Sequence, residues 1–142
     1  MSFAKLLALP VALTLLAASG HAQTVTTVIS NGTTDTRYDI VILGDGYRVS
    51  EQGQFNQDVT AFLTSLFQKA PYNLFADYYN VHTVFRPSID SGADHPDATP
   101  PIFVNTAYDA TYNFGGTGRC LYIQNTSLGL ADAALAPATE GR

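Results

Sequence analysis

The run Ile40-Val41-Ile42-Leu43 constrains this chain more than any other feature. Four consecutive β-favouring apolar residues leave no polar face for water. A strand here needs cover on both sides, as in a parallel or mixed sheet. The strand is expected over residues 37–43, at or near the centre of its sheet, and Gly44-Asp45-Gly46 closes it with a turn. A helix is expected next, over residues 50–69. Ser50 offers an N-cap hydroxyl, and Glu51 puts negative charge where the helix dipole is positive. Phe55, Val59, Phe62, Leu63, Leu66 and Phe67 recur at helical spacing and form one apolar stripe, of which Phe55, Val59, Phe62 and Leu66 are expected to face the sheet. Pro71 stops the helix. Strand, turn and helix in this order make an α/β layer arrangement the expected fold class, with a partial mixed or parallel sheet and packed helices.

Further elements are shorter. Residues 24–30 suit a short strand ended by the Asn31-Gly32 turn. Residues 80–85 alternate, with Val81 and Thr83 on one side and His82 and Val84 on the other. If the crossover is right-handed, this strand lies parallel to the first. Residues 87–101 form a long loop rich in Asp, Ser, Gly and Pro. The aromatic stretch 102–114 favours neither state. Residues 120–124 suit a third strand, and 128–135 a short helix ended by Pro137.

The amino end has the layout of a secretory signal. Lys5 supplies a positive start, residues 6–18 are almost wholly apolar, and Gly20-His21-Ala22 is a small-x-small site with the cut expected after Ala22. The apolar run is shorter than the roughly 18–20 residues a membrane span needs. The expected organisation is therefore a signal at 1–22, a lead at 23–36 and a single domain from 37 to 142. Export would place the product outside the cell or in the periplasm. Cleavage removes Lys5 and no acid, taking the net charge from −5 to −6. That balance argues against a broad basic surface for nucleic acid or anionic membrane. Cys120 is the only cysteine, so no internal disulfide can form.

Several residues could carry chemistry. The Gly44-Asp45-Gly46 loop stands between a buried strand and a helix, where α/β folds place ligands. Asp45 there could be a metal ligand or an acid/base group, and the plainer reading is a tight turn that needs glycine. Val49 occupies the third glycine position of a dinucleotide loop, and Gly46 replaces the serine that a hydrolase nucleophile would need. Asp90, Asp94 and Asp97 crowd one loop and could form a calcium loop, although their spacing is not that of an EF-hand. The mature chain keeps two histidines, His82 and His95. Neither starts an H-E-x-x-H motif, because Thr83 and Pro96 follow them.

The order of the segments carries a resemblance. Asp39-Ile40-Val41-Ile42-Leu43-Gly44-Asp45-Gly46-Tyr47 is followed by Glu51, Phe55 and Asp58, then by Pro71-Tyr72 and Phe75. Asn80-Val81, Ser88-Ile89-Asp90-Ser91-Gly92-Ala93-Asp94, Thr106-Ala107-Tyr108, Arg119-Cys120-Leu121 and Ala136-Pro137 come next. This series resembles, in collinear order, the opening of the IgA-peptidase zinc metallopeptidase family. Residues 48–50 depart from it at the surface. The resemblance implies a zinc-dependent endopeptidase acting on protein or peptide substrates. Its zinc-binding H-E-x-x-H helix lies later in the domain than the equivalent of Arg142. It therefore carries over no catalytic or metal residue to this chain. The chain is expected to be the inactive front part of such a domain, with zinc belonging to the full-length parent. Two other readings stay open. One is a secreted binding module using the aromatic residues Tyr108, Tyr112 and Phe114, and the other is an α/β esterase-like hydrolase.

Overall fold

A computed structural model describes residues 23–138. The expected signal segment and its cleavage site lie outside the described residues. Strand β1 spans Thr24–Ile29, β2 Tyr38–Gly44, helix α1 Gln52–Leu66 and β3 Tyr79–Phe85. The two-residue strands β4 (Ala110–Thr111) and β5 (Tyr122–Ile123) follow, and helix α2 spans Thr126–Ala133. The main sheet has the order β1-β3-β2. β2 runs parallel to β3, with Ile40 opposite Val81 and Leu43 opposite Val84, while β1 pairs with β3 antiparallel. The sheet is therefore mixed, and with helices α1 and α2 the described residues form a small α/β structure.

The central strand is β3, and β2 lies at the edge. This reverses the expected placement. Both sequences are apolar enough for the middle, and the choice falls to the antiparallel β1, which docks on β3. As a result every residue of β3 from Asn80 to Phe85 is buried, on both faces, so its apolar/polar alternation does not mark an inside and an outside.

Helix α1 packs on one face. Phe55, Val59 and Leu63 are buried against Val81 and Phe85, with Ile40, Ile42, Tyr47 and Leu66 partly buried around them. The Phe55 and Phe85 rings stand 5.4 Å apart and the Tyr47 and Phe55 rings 5.5 Å, within aromatic pairing range. Phe62, expected on this face, is 51% exposed. Leu63 takes the inward place because the 3.6-residue period carries the contact line from Phe55 through Val59 to Leu63, leaving Phe62 on the flank towards the edge strand. The helix entry also differs from expectation. Ser50 lies within a single 3-10 turn at Val49–Glu51, and Glu51 Oε2 accepts from the Arg48 amide at 2.7 Å, so a carboxylate caps the start. The regular helix ends at Leu66, with Phe67 and Lys69 held by turn bonds to Leu63 and Leu66.

Helix α2 lies on the opposite face. Side chains alternate along a strand, so Leu43 points away from the face that carries Ile40 and Ile42. A Cβ placed on Gly129 of α2 would stand 3.8 Å from Leu43 Cδ1 and 3.0 Å from Ile123 Cδ1. Glycine there lets α2 sit close to β2.

Candidate functional site

The turn after β2 is the polar centre of the molecule. Gly44 is the last residue of β2, opposite Phe85. Asp45, half-buried, follows at the mouth of the strand. Its Oδ1 accepts from the Tyr108 amide at 3.0 Å and from Ser88 Oγ at 3.2 Å. Its Oδ2 accepts from Thr106 Oγ1 at 2.8 Å and from the Ala110 amide at 3.0 Å. A carboxylate has about four acceptor positions, so all of them are engaged within the chain. Ser88 Oγ in turn accepts from the Gly46 and Ala107 amides, at 3.1 and 3.0 Å. Gly46 has φ +73°, and a Cβ there would come 2.0 Å from the Gly92 carbonyl oxygen, so the position admits only glycine. The Gly92 amide donates back to the Gly46 carbonyl at 2.9 Å. Ser91 Oγ donates to the Glu51 carboxylate, at 2.8 and 2.9 Å to its two oxygens. Hydrogen bonds from the Arg48 amide and from Ser91 hold the Glu51 carboxyl below its ordinary range. The site loop, the start of α1 and the serine loop thus form one hydrogen-bonded unit.

The three aspartates of the long loop are engaged separately. Asp90 Oδ2 accepts from the Asn105 amide at 2.9 Å, and Asp94 Oδ1 from the Val104 amide at 2.8 Å. Asp97 Oδ1 faces His95 Nδ1 at 3.0 Å, and the His95 ring stacks on Tyr112 with centroids 4.4 Å apart. His82 lies inside the sheet, 3% exposed. Its Nδ1 is 3.0 Å from Thr27 Oγ1 and its Nε2 3.4 Å from Asp39 Oδ1. Asn80 Nδ2 donates to the same Asp39 oxygen at 2.8 Å. Cys120 is exposed. Among the described residues no group of three or more His, Cys, Asp or Glu side chains converges to hold a metal. The two histidines face different neighbours in different layers, so the described residues do not fit the zinc ion that the resemblance implies. Among the described residues, no helix is long and apolar enough to cross a membrane.

A second polar centre has no counterpart in the sequence reading. Asp132 of α2, 3% exposed, accepts from Arg86 Nη2 at 2.7 Å, from Arg86 Nε, and from the Tyr108 hydroxyl at 2.8 Å. The Arg86 guanidinium holds the Asp132 carboxyl below its ordinary value, and Asp132 in turn raises that of Arg86. Burial, followed by the bond to Asp132, pushes the Tyr108 phenol up. The available signal was a lone acid in the otherwise apolar stretch Leu128-Gly129-Leu130-Ala131-Asp132-Ala133, which needs a buried partner.

These positions coincide with the segments that carry the resemblance: Asp45 and Gly46, Ser88 to Asp94, and Thr106 to Tyr108. The family model of IgA Peptidase M64 matches residues 26–141. The chain belongs to this family. A search of curated proteins finds no match. Within this family member, the segments named above join through Asp45 and Ser88 into one network.

Proposed function

We propose that this chain is part of a secreted zinc-dependent endopeptidase and supplies the structural front of its catalytic unit. The observation that carries this reading is the family match over residues 26–141. The signal segment at 1–22 directs export to the periplasm or medium, and the peptidase domain takes in the lead at 23–36, whose strand β1 belongs to the main sheet, together with residues 37–142. Its substrate class is protein or peptide. In this reading Gly44, Asp45 and Gly46 organise the scaffold, because the Asp45 carboxylate is filled by donors from Ser88, Thr106, Tyr108 and Ala110. The zinc ligands are supplied by residues outside the described ones, and the 142-residue chain does not cleave protein alone. The test is zinc titration against a fluorescent competitor, beside a casein-cleavage assay. The chain is compared with a longer product of the same reading frame. The longer product is expected to take up one zinc tightly and to show chelator-sensitive cleavage, with neither property in the shorter chain. Stoichiometric zinc uptake and cleavage by the 142-residue chain would overturn the reading.

A further inference from the structure

Strand β2 has two properties that do not belong together. It is a parallel strand with apolar residues on both faces, which is the pattern of a sheet interior, and it is an edge strand. Ile40, Val41, Ile42 and Leu43 are all only partly buried. Along β2 alternate backbone groups point away from β3. Among the described residues, no backbone partner outside the sheet reaches Asp39 to Leu43. The edge has no proline, lysine or bulge to block pairing, and its one inward charge, Asp39, lies near the start of the strand, bonded to Asn80 of β3. At the carboxyl end of β2, from Ile42 into the Gly44-Asp45-Gly46 turn, the edge borders an open trough of about 590 Å3 whose far side is Phe62, Tyr112, Leu121 and Ile123. The exposed Phe62 lies in this lining, on the flank of α1 next to β2.

The placement of the two helices says what kind of chain fits. The β2-α1-β3 crossover puts α1 on the face that carries Ile40, Ile42, Val81 and Phe85. Parallel crossovers are right-handed in about 98% of cases. A chain that leaves β3 and returns past β2 to a new parallel strand moves in the opposite direction. It stays right-handed only if its helix covers the other face. Helix α2 lies on that face, with Gly129 against Leu43. Reversal of direction with helices on opposite faces is the doubly wound arrangement.

We infer that the free edge of β2, with the trough at its carboxyl end, is the seat of one further β-strand, supplied by the polypeptide that follows α2 and paired parallel to β2. The inference rests on the reading that the peptidase unit continues past these residues. The added strand carries aliphatic side chains on both faces, and one of them covers Phe62. A second copy of this chain is a poorer occupant, since α2 already carries the chain to this edge in the right-handed sense.

The test is amide hydrogen exchange on the full 142-residue chain and on the longer product of the same reading frame, both metal-free. The β2 amides that point away from β3 are expected to exchange about 100-fold more slowly in the longer protein, with β3 unchanged. Phe62→Ser is expected to leave the urea midpoint of the 142-residue chain in place and to lower that of the longer protein. Three results would overturn the inference: a reading frame that stops at Arg142, outward β2 amides that stay fast in the longer protein, or amides already protected in the shorter chain. In the last case sedimentation distinguishes a self-paired dimer from a strand within the chain. Because the exchange is read without zinc or proteolysis, the strand can fail while the peptidase reading stands, and the reverse.

Discussion

The two halves of this molecule are held together by different physics. From β1 to β3 the chain is fastened by apolar contact, with Phe55, Val59 and Leu63 of α1 closed over Val81 and Phe85. From Ser88 to Ala136 there are two strands of two residues each and one helix of eight. That half is fastened by carboxylates. Asp45 gathers the 106–110 segment, Asp90 and Asp94 hold the 104–105 backbone, and Asp132 ties α2 to Arg86 and Tyr108. The difference teaches how a long irregular segment stays folded. Its backbone groups cannot find partners in a ladder, so the partly buried carboxylates of Asp45, Asp90 and Asp94 accept from them instead.

The comparison can be tested by removing one fastener at a time. Phe55→Ala should have the largest effect, about 4 kcal/mol, because it empties the centre of the apolar layer. Urea unfolding followed by circular dichroism measures it, and a loss below about 1 kcal/mol would mean that the layer is not the main source of stability. Asp45→Ala should cost about 3 kcal/mol, since it leaves the Tyr108 amide without an acceptor and takes from the Ala110 amide one of its two, the other being Thr106 Oγ1. Hydrogen exchange should show those two amides opening while the β3 amides stay protected. Uniform loss across both halves would show that the carboxylate serves the whole fold.

Asp132→Asn should cost about 2 kcal/mol at neutral pH, because Arg86 then faces no negative partner. Its pH dependence separates the two halves further. Asp132 titrates lower in the folded than in the unfolded chain, so its contribution is complete above about pH 4 and is lost as pH falls through the folded value. Between pH 5 and pH 3 the unmodified chain should therefore lose more stability than Asp132→Asn. Parallel curves would remove Asp132 from the account. Ser88→Ala should have the smallest effect at neutral pH, about 1 kcal/mol, through its bonds to Gly46, Ala107 and Asp45.

In alkali the site turn gives a last contrast. Burial, with Asp58 adding through its hydrogen bond and charge, raises the Tyr47 phenol from its ordinary 10.0 to about 12. A raised folded value means that its contribution is intact below pH 10 and is lost as pH rises towards 12. Tyr47→Phe should flatten the stability curve in that window alone, and an unchanged curve would show that Tyr47 does not control it.

What the sequence determined by itself follows from local rules. The Ile-Val-Ile-Leu run and its glycine turn placed β2 within one residue at each end. The apolar stripe placed α1, the alternating stretch placed β3, and a helix between the two strands let β2 and β3 run parallel. The collinear motifs led to the family. Tertiary structure alone decided which strand is central, because that depends on where β1 docks and not on how apolar β2 or β3 is. It put Phe62 outside, since the helical period names a stripe about 100° wide but not the line within it that meets the sheet. It also gave the acids their partners. Asp45 and Ala110 are 65 residues apart, and Asp132 and Arg86 are 46. No local pattern encodes such pairs, because they exist only once the chain has folded and desolvated both ends together.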